Sequence, residues 1–484
     1  MPHYTPYGAG IDSPRSPEEI AEIRKALEVN EGKTDLTDLG TDGAGETLGL
    51  QSMDKVKVSM TFENEDFAFI RTIPEVPVDA ALVEYNRQLS HGPGAPYRKP
   101  FVGQSDDPIY ADPEYKREYE VMAYMADAFS YSRPATMVRQ TEATEVVASN
   151  SSMMRVLEAH STGYWFNDRS IMPFEDMGLI PRIPERYDCR GTWPEAAVVQ
   201  HYATMIRSKW FGLVDRWVMP FGAKNLADNR FSRSGAQYVL QNLPSGTGGV
   251  VESNVVKGLN CSQAKGGLVE YVTDRWIDES QIDVPTVQGV ESAVGDNPPG
   301  APAVVATPQP PNVPGSLWDD PWTAAGDARY RVVALGVGSA SIATTEVVAP
   351  IASDGAVNLE ITPSTSGGYA EAFLILRWNH ARGRHYKVAQ IKRTPGVGPT
   401  LWTDLNQTLP GYGTSVLGDF NSQGGVNSPK RTNYFGVLLP PTKFNFYPGS
   451  VRQRTYNGMI EYYRALIVPA IEKFVRFDNL PIQE

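Results

Sequence analysis

Cysteine is nearly missing from this chain: Cys189 and Cys261 are the only two in 484 residues. They are far apart and sit in no CxxC or Cys/His cluster, which excludes a disulfide framework and a zinc site and predicts two buried or half-buried thiols. Long apolar runs are missing as well. No stretch approaches the ~18 consecutive apolar residues of a membrane helix. The opening MPHYTPYGAGIDSPRSPEE has neither a basic n-region nor an apolar h-region, so neither a membrane span nor a signal peptide is expected. Positive charge is in deficit, with 44 Lys and Arg against 56 Asp and Glu and a net charge of −12. Coating nucleic acid requires clustered Lys and Arg. An acidic wall that merely surrounds nucleic acid would repel it and leave it mobile.

Catalytic signatures are also lacking. His3, His91, His160, His201, His380 and His385 show no HExxH or other ligand spacing. The glycine-containing SGTGG and LGVGSAS lack the strand, helix and Lys context of a phosphate loop, and no GxSxG elbow occurs. Asp319 and Asp320, between Trp318 and Trp322, suggest a carboxylate pair in a sugar cleft. Adjacent strand residues point to opposite faces, however, and the two carboxylates would diverge. NHARGRHYK gathers His380, Arg382, Arg384 and His385 into a basic patch, read equally well as a contact for an acidic partner or as a solvated loop. No catalytic, cofactor-binding or metal-binding residue is assigned, and no cofactor is expected.

What is present is a succession of unlike segments. The composition, 41% hydrophobic and 21% charged, is that of a globular chain long enough for several cores. Ser16, Pro17 and Glu19 open a helix with a single stripe of Ile20, Ile23 and Leu27, followed by an aperiodic Gly, Thr and Asp-rich stretch. This reads as an arm whose helix most simply docks on another surface, with packing on its own domain as the alternative. MDKVKVSMTF alternates like a strand, and ENEDFAFIRTIP is a short helix stopped by Pro74.

Between Asp79 and Ser130, ALVEYNRQLS and EYKREYEVMAYMADAFS form two extended runs joined by a Gly, Pro, Asp and Tyr loop. A two-stranded ribbon has no covering layer of its own, so this one is expected to lie on a neighbouring subunit. Thr141, with Glu142 and Glu145, caps a helix whose stripe of Val146, Met153, Met154, Leu157, Tyr164 and Trp165 runs to about Asn167. A second capping box, Thr192 to Glu195, leads a helix with Val198, Tyr202, Met205 and Ile206. Then come the strand DRWVMPF, a short helix near Ala223 to Phe231, and the strands VVESNVVKGL and GLVEYVTDRWI.

GDNPPGAPAVVATPQPPNVPG reads as a linker. From about Ala303 to Pro395 the pattern is all β, with strands at Tyr330 to Leu335, Thr345 to Ala349, Val357 to Ile361, Ala372 to Trp378 and Tyr386 to Arg393. That spacing predicts an immunoglobulin or fibronectin-like sandwich inserted in the main body. EYYRALIVPAIEKFVRF is strand-like and is expected to close the sheet begun earlier.

The order of these segments, above all LGLQSMDKVKVSMTFENEDFAFIRTIPEVPVDAALVEYNRQLSHG, FEDMGLIPRIPERYDCRGTWPEAA and the passage from Thr403-Asp404-Leu405-Asn406 to Pro410-Gly411, resembles the major capsid proteins of tailed bacteriophages. The resemblance implies an α+β fold of the Hong Kong 97 type with an inserted all-β sandwich. Its parts would be an N-terminal arm (1–50), a peripheral domain with spine helix (51–78 and 131–170), an extended loop (79–130), an axial domain (171–298), the insertion (299–396), and a return with the C-terminal strand (397–484).

Such a chain would self-assemble through hexamers and pentamers into an icosahedral virion shell in the host cytoplasm. It would meet portal and scaffold or cement proteins, enclose double-stranded DNA without reading its sequence, and bind no membrane. Some capsids cross-link Lys to Asn, and Lys99 and Lys116 lie in or beside the loop, but solvated lysines are the simpler reading. The alternatives are an encapsulin-like compartment and, from another class, a secreted carbohydrate-binding protein or glycosidase.

Overall fold

The computed structural model describes residues 64–91, 104, 112–132, 144–233, 258–278, 293–295, 297–318, 326–396, 398–420, 432–438, 444–447 and 455–482. The expected arm, the strand MDKVKVSMTF, the loop tip with Lys99, the cap at Thr141, SGTGG, His3, and Asp319, Asp320 and Trp322 lie outside the described residues.

Two single-turn 3-10 segments, Asn64–Phe67 and Ile70–Thr72, stand where one short helix is expected, and the chain turns extended before Pro74. Next come β1 (Glu75–Val78), β2 (Leu82–Ser90), β3 (Glu114–Val121), β4 (Ala123–Ser132), helix α1 (Thr144–Phe166), the single turn α2 (Leu179–Arg182) and β5 (Arg186–Asp188). They are followed by α3 (Ala196–Trp210), β6 (Arg216–Met219), α4 (Phe221–Arg233), β7 (Gly258–Asn260) and β8 (Leu268–Thr273). An all-β stretch holds β9 (Ala303–Gln309), β10 (Asp327–Gly336), β11 (Ser339–Ala340), β12 (Val347–Pro350), β13 (Ala356–Thr362), β14 (Ala372–Asn379), β15 (Arg384–Lys392) and β16 (Thr400–Asp404). The chain closes with β17 (Gly413–Gly418), β18 (Tyr434–Leu438), β19 (Phe444–Tyr447), β20 (Thr455–Ile467) and β21 (Phe474–Leu480).

In the first sheet, β20 is the hub: β4 runs along one edge, β18 and β19 take successive parts of the other, and β1 lies parallel to β18. Helix α1 covers this sheet. Its buried row is Ser152, Val156, His160 and Tyr164 with Ser161 and Trp165 beside it, while Met153, expected in the stripe, is 41% exposed. Three of these buried residues are polar, which a search for an apolar stripe does not register. Phe69 stacks on Trp165 and Phe67 on Trp276, which draws the 3-10 turns into the same core.

The second sheet has the order β5-β21-β17-β6-β8-β7 and carries α3 on a separate core that includes Val199, Ala203, Ile206, Trp217 and Phe477. The all-β stretch forms two antiparallel sheets, β16-β13-β9 and β11-β10-β14-β15 with β12 on β10. Both supply residues to one cluster, among them Val357, Leu359 and Ile361 from β13 and Tyr330, Val332 and Phe373 from β10 and β14.

Several expectations are corrected. The Pro-rich linker contains β9, because Val304 and Ala306 alternate inward and Pro308 lies on an edge strand, where a missing N–H is tolerated. β16 lies past the expected end of the insertion at residue 396 and pairs with β13. The second run of the ribbon is two strands. It leaves β2 at Met122, whose N–H bonds the Ala81 carbonyl, and continues as β4 on β20. The C-terminal run likewise divides, β20 entering the first sheet and β21 the second.

The capping box at Thr192 does not form. Glu195 is the N-cap of α3 without a side-chain cap bond, and Thr192 Oγ1 donates to the Cys189 carbonyl at 2.8 Å across a turn in which Arg190 and Gly191 have positive φ. The buried residues of α3 are Val199, Ala203 and Ile206; of the expected stripe Ile206 is among them, while Val198, Tyr202 and Met205 are only partly buried beside them.

Candidate assembly surface

The β2–β3 ribbon has two chemically different faces, because side chains alternate along each strand. On one face Val83, Tyr85 and Arg87 lie opposite Glu120, Glu118 and Lys116. Tyr85 Oη donates to Glu118 at 3.0 Å, Arg87 pairs with Glu118 at 3.3 Å and reaches Glu472 at 2.5 Å, and Lys116 Nζ stands 2.8 Å from Glu118. Arg182 of α2 pairs with Glu120 at 2.5 Å and also donates to the Leu466 carbonyl of β20. Two body elements thus hold the inner face of the ribbon.

Burial raises the Tyr85 phenol, and Glu118 raises it further. Burial opposes ionisation of Glu118, but hydrogen bonds from Lys116, Tyr85 and Arg87 outweigh it and hold the carboxyl below its usual value. At Glu120 burial prevails over Arg182, and the carboxyl is raised.

The outer face is open. Glu84, Asn86 and Gln88 lie opposite Tyr119, Arg117 and Tyr115, and the two tyrosines are 65% and 63% exposed. Leu82, opposite Val121, is 43% exposed on the same face. Arg117 reaches Glu84 only at 3.6 Å, and both are largely solvated, so this pair adds little stability. Two tyrosines at i and i+4 of a strand, with an aliphatic neighbour and mixed polar groups, match the composition of contact surfaces, where aromatic residues are enriched.

The other candidates do not converge on a chemical site. His160 is buried, His91 bonds Gln88, His201 lies edge-on to Tyr202, His380 bonds the Asp327 carbonyl, and His385 stands 3.2 Å from Glu346. Burial, with Arg331 and Arg329 nearby, lowers His385 to about 4. Among the described residues no group of three His, Cys, Asp or Glu could hold a metal ion. No helix of the described residues is long and apolar enough to cross a membrane. Cys189 and Cys261 are buried free thiols.

Trp318 is inside the β module. It donates to the Asp404 carbonyl at 3.2 Å and lies under the Arg377 guanidinium, so it offers no sugar platform. Arg377 in turn pairs with Asp404 at 2.5 Å, and Tyr330 Oη donates to the same carboxylate at 2.8 Å.

The joint between the β module and the body was not foreseen. Arg190 donates to the Leu317 carbonyl at 2.7 Å and the Asn406 carbonyl at 3.1 Å, gripping the module from the body. Asn479 of β21 donates to the Gln407 carbonyl and accepts from the Leu409 N–H. Arg382, in the basic patch read equally as a partner contact or a solvated loop, donates to the Ile482 carbonyl at 2.5 Å, and Lys387 lies 5.4 Å from the Phe166 ring centre. The one available signal was Arg190 before Gly191, a cation at a turn.

No family model matches the chain. Curated relatives do. The chain is 22% identical over 448 residues to the major capsid proteins of Staphylococcus phage S25-3 and Staphylococcus phage K, covering 90% of this chain and 90% of each relative. The resemblance to major capsid proteins read from the order of segments thus holds along nine-tenths of the sequence. Among solved structures, Gordonia phage Cozz matches with TM-score 0.43 and 8% identity over 90% of this chain and 92% of that one. The capsid of Cyanophage P-SCSP1u matches with TM-score 0.42 and 6% identity over 92% and 96%. A holo encapsulin complex from Synechococcus elongatus matches with TM-score 0.39 and 9% identity over 92% and 97%.

Proposed function

We infer that this chain is the major capsid protein of a tailed bacteriophage, a subunit that self-assembles into the icosahedral head around a DNA genome. The observation that carries the reading is the collinear similarity to curated major capsid proteins over 448 residues, 90% of both chains. The ribbon supports it, since one face is ion-paired to its own subunit and the other presents Tyr115 and Tyr119 to solvent.

In this reading the fold is of the Hong Kong 97 type. Residues 1–50 are an arm and the loop reaches from β2 and β3 to a neighbour. Helix α1 is the spine of a peripheral domain, and the sheet under α3 belongs to an axial domain at the symmetry axes of hexamers and pentamers. The two-sheet module is an inserted immunoglobulin-like domain on the outer face. Such contacts are heterologous, and the ring closes by rotation. Portal, scaffold and cement proteins are the further partners, DNA is held without sequence recognition, and assembly takes place in the host cytoplasm.

A compartment of the encapsulin type has less behind it, because the curated relatives are phage capsid proteins. The sugar-cleaving reading loses Trp318, which is spent inside the module. Negative-stain imaging of particles from cells expressing this chain tests the proposal. Closed shells support it, and discrete monomers or small oligomers under all assembly conditions overturn it.

A further inference from the structure

Helix α3 ends in a conformation that its last residues do not favour. Its C-cap is Phe211, at φ 55° and ψ 23° in the left-handed region, where glycine or asparagine is the usual occupant and a bulky residue is an outlier. Glycine follows one position later, and the two positions cannot exchange residues. The N–H of Gly212 closes the helix on the Ile206 carbonyl at 3.2 Å, and a Cβ there would come within 2.7 Å of the Ile206 side chain. Strain of this kind persists where the surrounding structure enforces it or function requires it. Phe211 is nevertheless 82% exposed, and Trp210 beside it is exposed as well. The subunit's own fold therefore gains little from the ring.

From Ala196 to Gly212 the sequence contains no carboxylate, while Arg207 and Lys209 stand exposed in the last turn. Neither has an ion pair among the described residues, and Lys209 Nζ lies 5.0 Å from the Trp210 ring centre. The opposite end of the same helix, about 22 Å away for 15 residues, is acidic and open. Glu195, Ala196 and Ala197 are exposed there, and the Glu195 side chain makes no cap bond. Compensation of the helix dipole accounts for the charges at both ends, but not for an exposed Phe held in the left-handed region beside an exposed Trp. We propose that Phe211 and Trp210 form a contact with a second copy of this chain, seated on the exposed turn at 195–197 of that copy with Arg207 and Lys209 facing its Glu195. A patch at one end and its complement at the other make a heterologous contact, which repeats head to tail and closes a ring by rotation. Two cations are too few for a groove that tracks nucleic acid, and the −12 net charge of the chain makes another copy the acidic partner. The proposal rests on the shell reading and names one contact within it.

The test follows particle formation of the full-length chain by sedimentation velocity at increasing concentration, beside thermal unfolding of the disassembled subunit. Phe211→Gly and Phe211→Asn both suit the left-handed position, so they are expected to unfold at the parent's temperature or slightly above it. The same variants should need roughly tenfold more subunit to form particles, as for loss of an aromatic anchor, and Phe211→Tyr should assemble as the parent does. Glu195→Lys should weaken assembly, and combining it with Arg207→Glu and Lys209→Glu should recover it, since the charges are then exchanged across the contact. Parent shells with Phe211→Asn assembling at an unchanged concentration, a triple variant no better than Glu195→Lys alone, or an assembly defect matched by a lowered unfolding temperature would each overturn the contact. So would a Phe211→Asn defect confined to binding of duplex DNA in a gel shift of the subunit. Absence of shells from the parent would remove the shell reading and this contact with it, which separates the two failures.

Discussion

The Arg464 guanidinium, at 0% exposure in the middle of β20, pairs with the buried Asp176 carboxylate at 2.9 Å. It also donates to Asp176 Oδ1 at 3.2 Å and to the His160 carbonyl at 2.5 Å, contacts the His160 ring nitrogen, and lies over the Phe435 ring. One strand side chain thereby ties α1, the loop before α2 and β18 to the same point. A Cβ on Gly163 would come within 2.5 Å of Arg464, so the glycine is the space the guanidinium occupies.

Breaking a buried pair by removing one partner leaves an uncompensated charge, at a cost of about 3–5 kcal/mol. Arg464→Met is expected to destabilise the subunit by that order in urea unfolding of the disassembled chain. Adding Asp176→Asn in the same chain should restore about half of the loss, since the orphaned charge is then gone. A single variant within about 1 kcal/mol of the parent would contradict this role.

Asp215 is pushed up to about 6, chiefly by burial and further by Asp419, although it accepts the Phe420 N–H at 2.8 Å. A folded pKa above the unfolded value means that the folded state binds the proton more tightly. That contribution is complete below about pH 4 and is lost as pH rises through about 6. Relative to Asp215→Asn, the parent should therefore lose stability on the order of 1 kcal/mol between these pH values. Urea midpoints across that range measure it, and parallel curves for the two proteins would refute the assignment.

Much of the fold could be read from one dimension. β10, β13, β14 and β15 were legible as short runs separated by Gly, Ser, Asp and Pro, and α1 by helical spacing to about its C-terminal end. Other features depended on partners distant in sequence. β9 is a strand only because β13 lies beside it. The split at Met122 exists because β20 is available to the second half of the run. Arg464 is the single cation in EYYRALIV, but its partner is 288 residues away and nothing local points to Asp176. The tyrosines of the ribbon were legible as residues but not as a face, which required the β2–β3 register.

Excision of the β module should depend on where the cut falls. Replacing residues 300–396 by a Gly/Ser linker leaves β16 without β13 and exposes a strand edge, a site for aggregation. Replacing 300–404 removes β16 as well, while Gln407 and Leu409 keep their bonds to Asn479. The longer excision should give soluble subunits that assemble, and the shorter one aggregated material, as read by size-exclusion chromatography and electron microscopy. Equal behaviour of the two would show that β16 is not part of the module.

Tyr119→Asp puts a charge on the open face of the ribbon and touches none of the inner ion pairs. The expected outcome is a subunit with unchanged thermal unfolding and circular dichroism that fails to form particles. Normal particle yield would remove this face from the set of assembly contacts.

The most direct test of the whole account is sedimentation velocity of the purified full-length chain at increasing concentration. A shell subunit is predicted to pass cooperatively from a slow species into large, fast-sedimenting particles, with few intermediates. A single compact monomer persisting at the highest concentration, under every assembly condition tried, would contradict it.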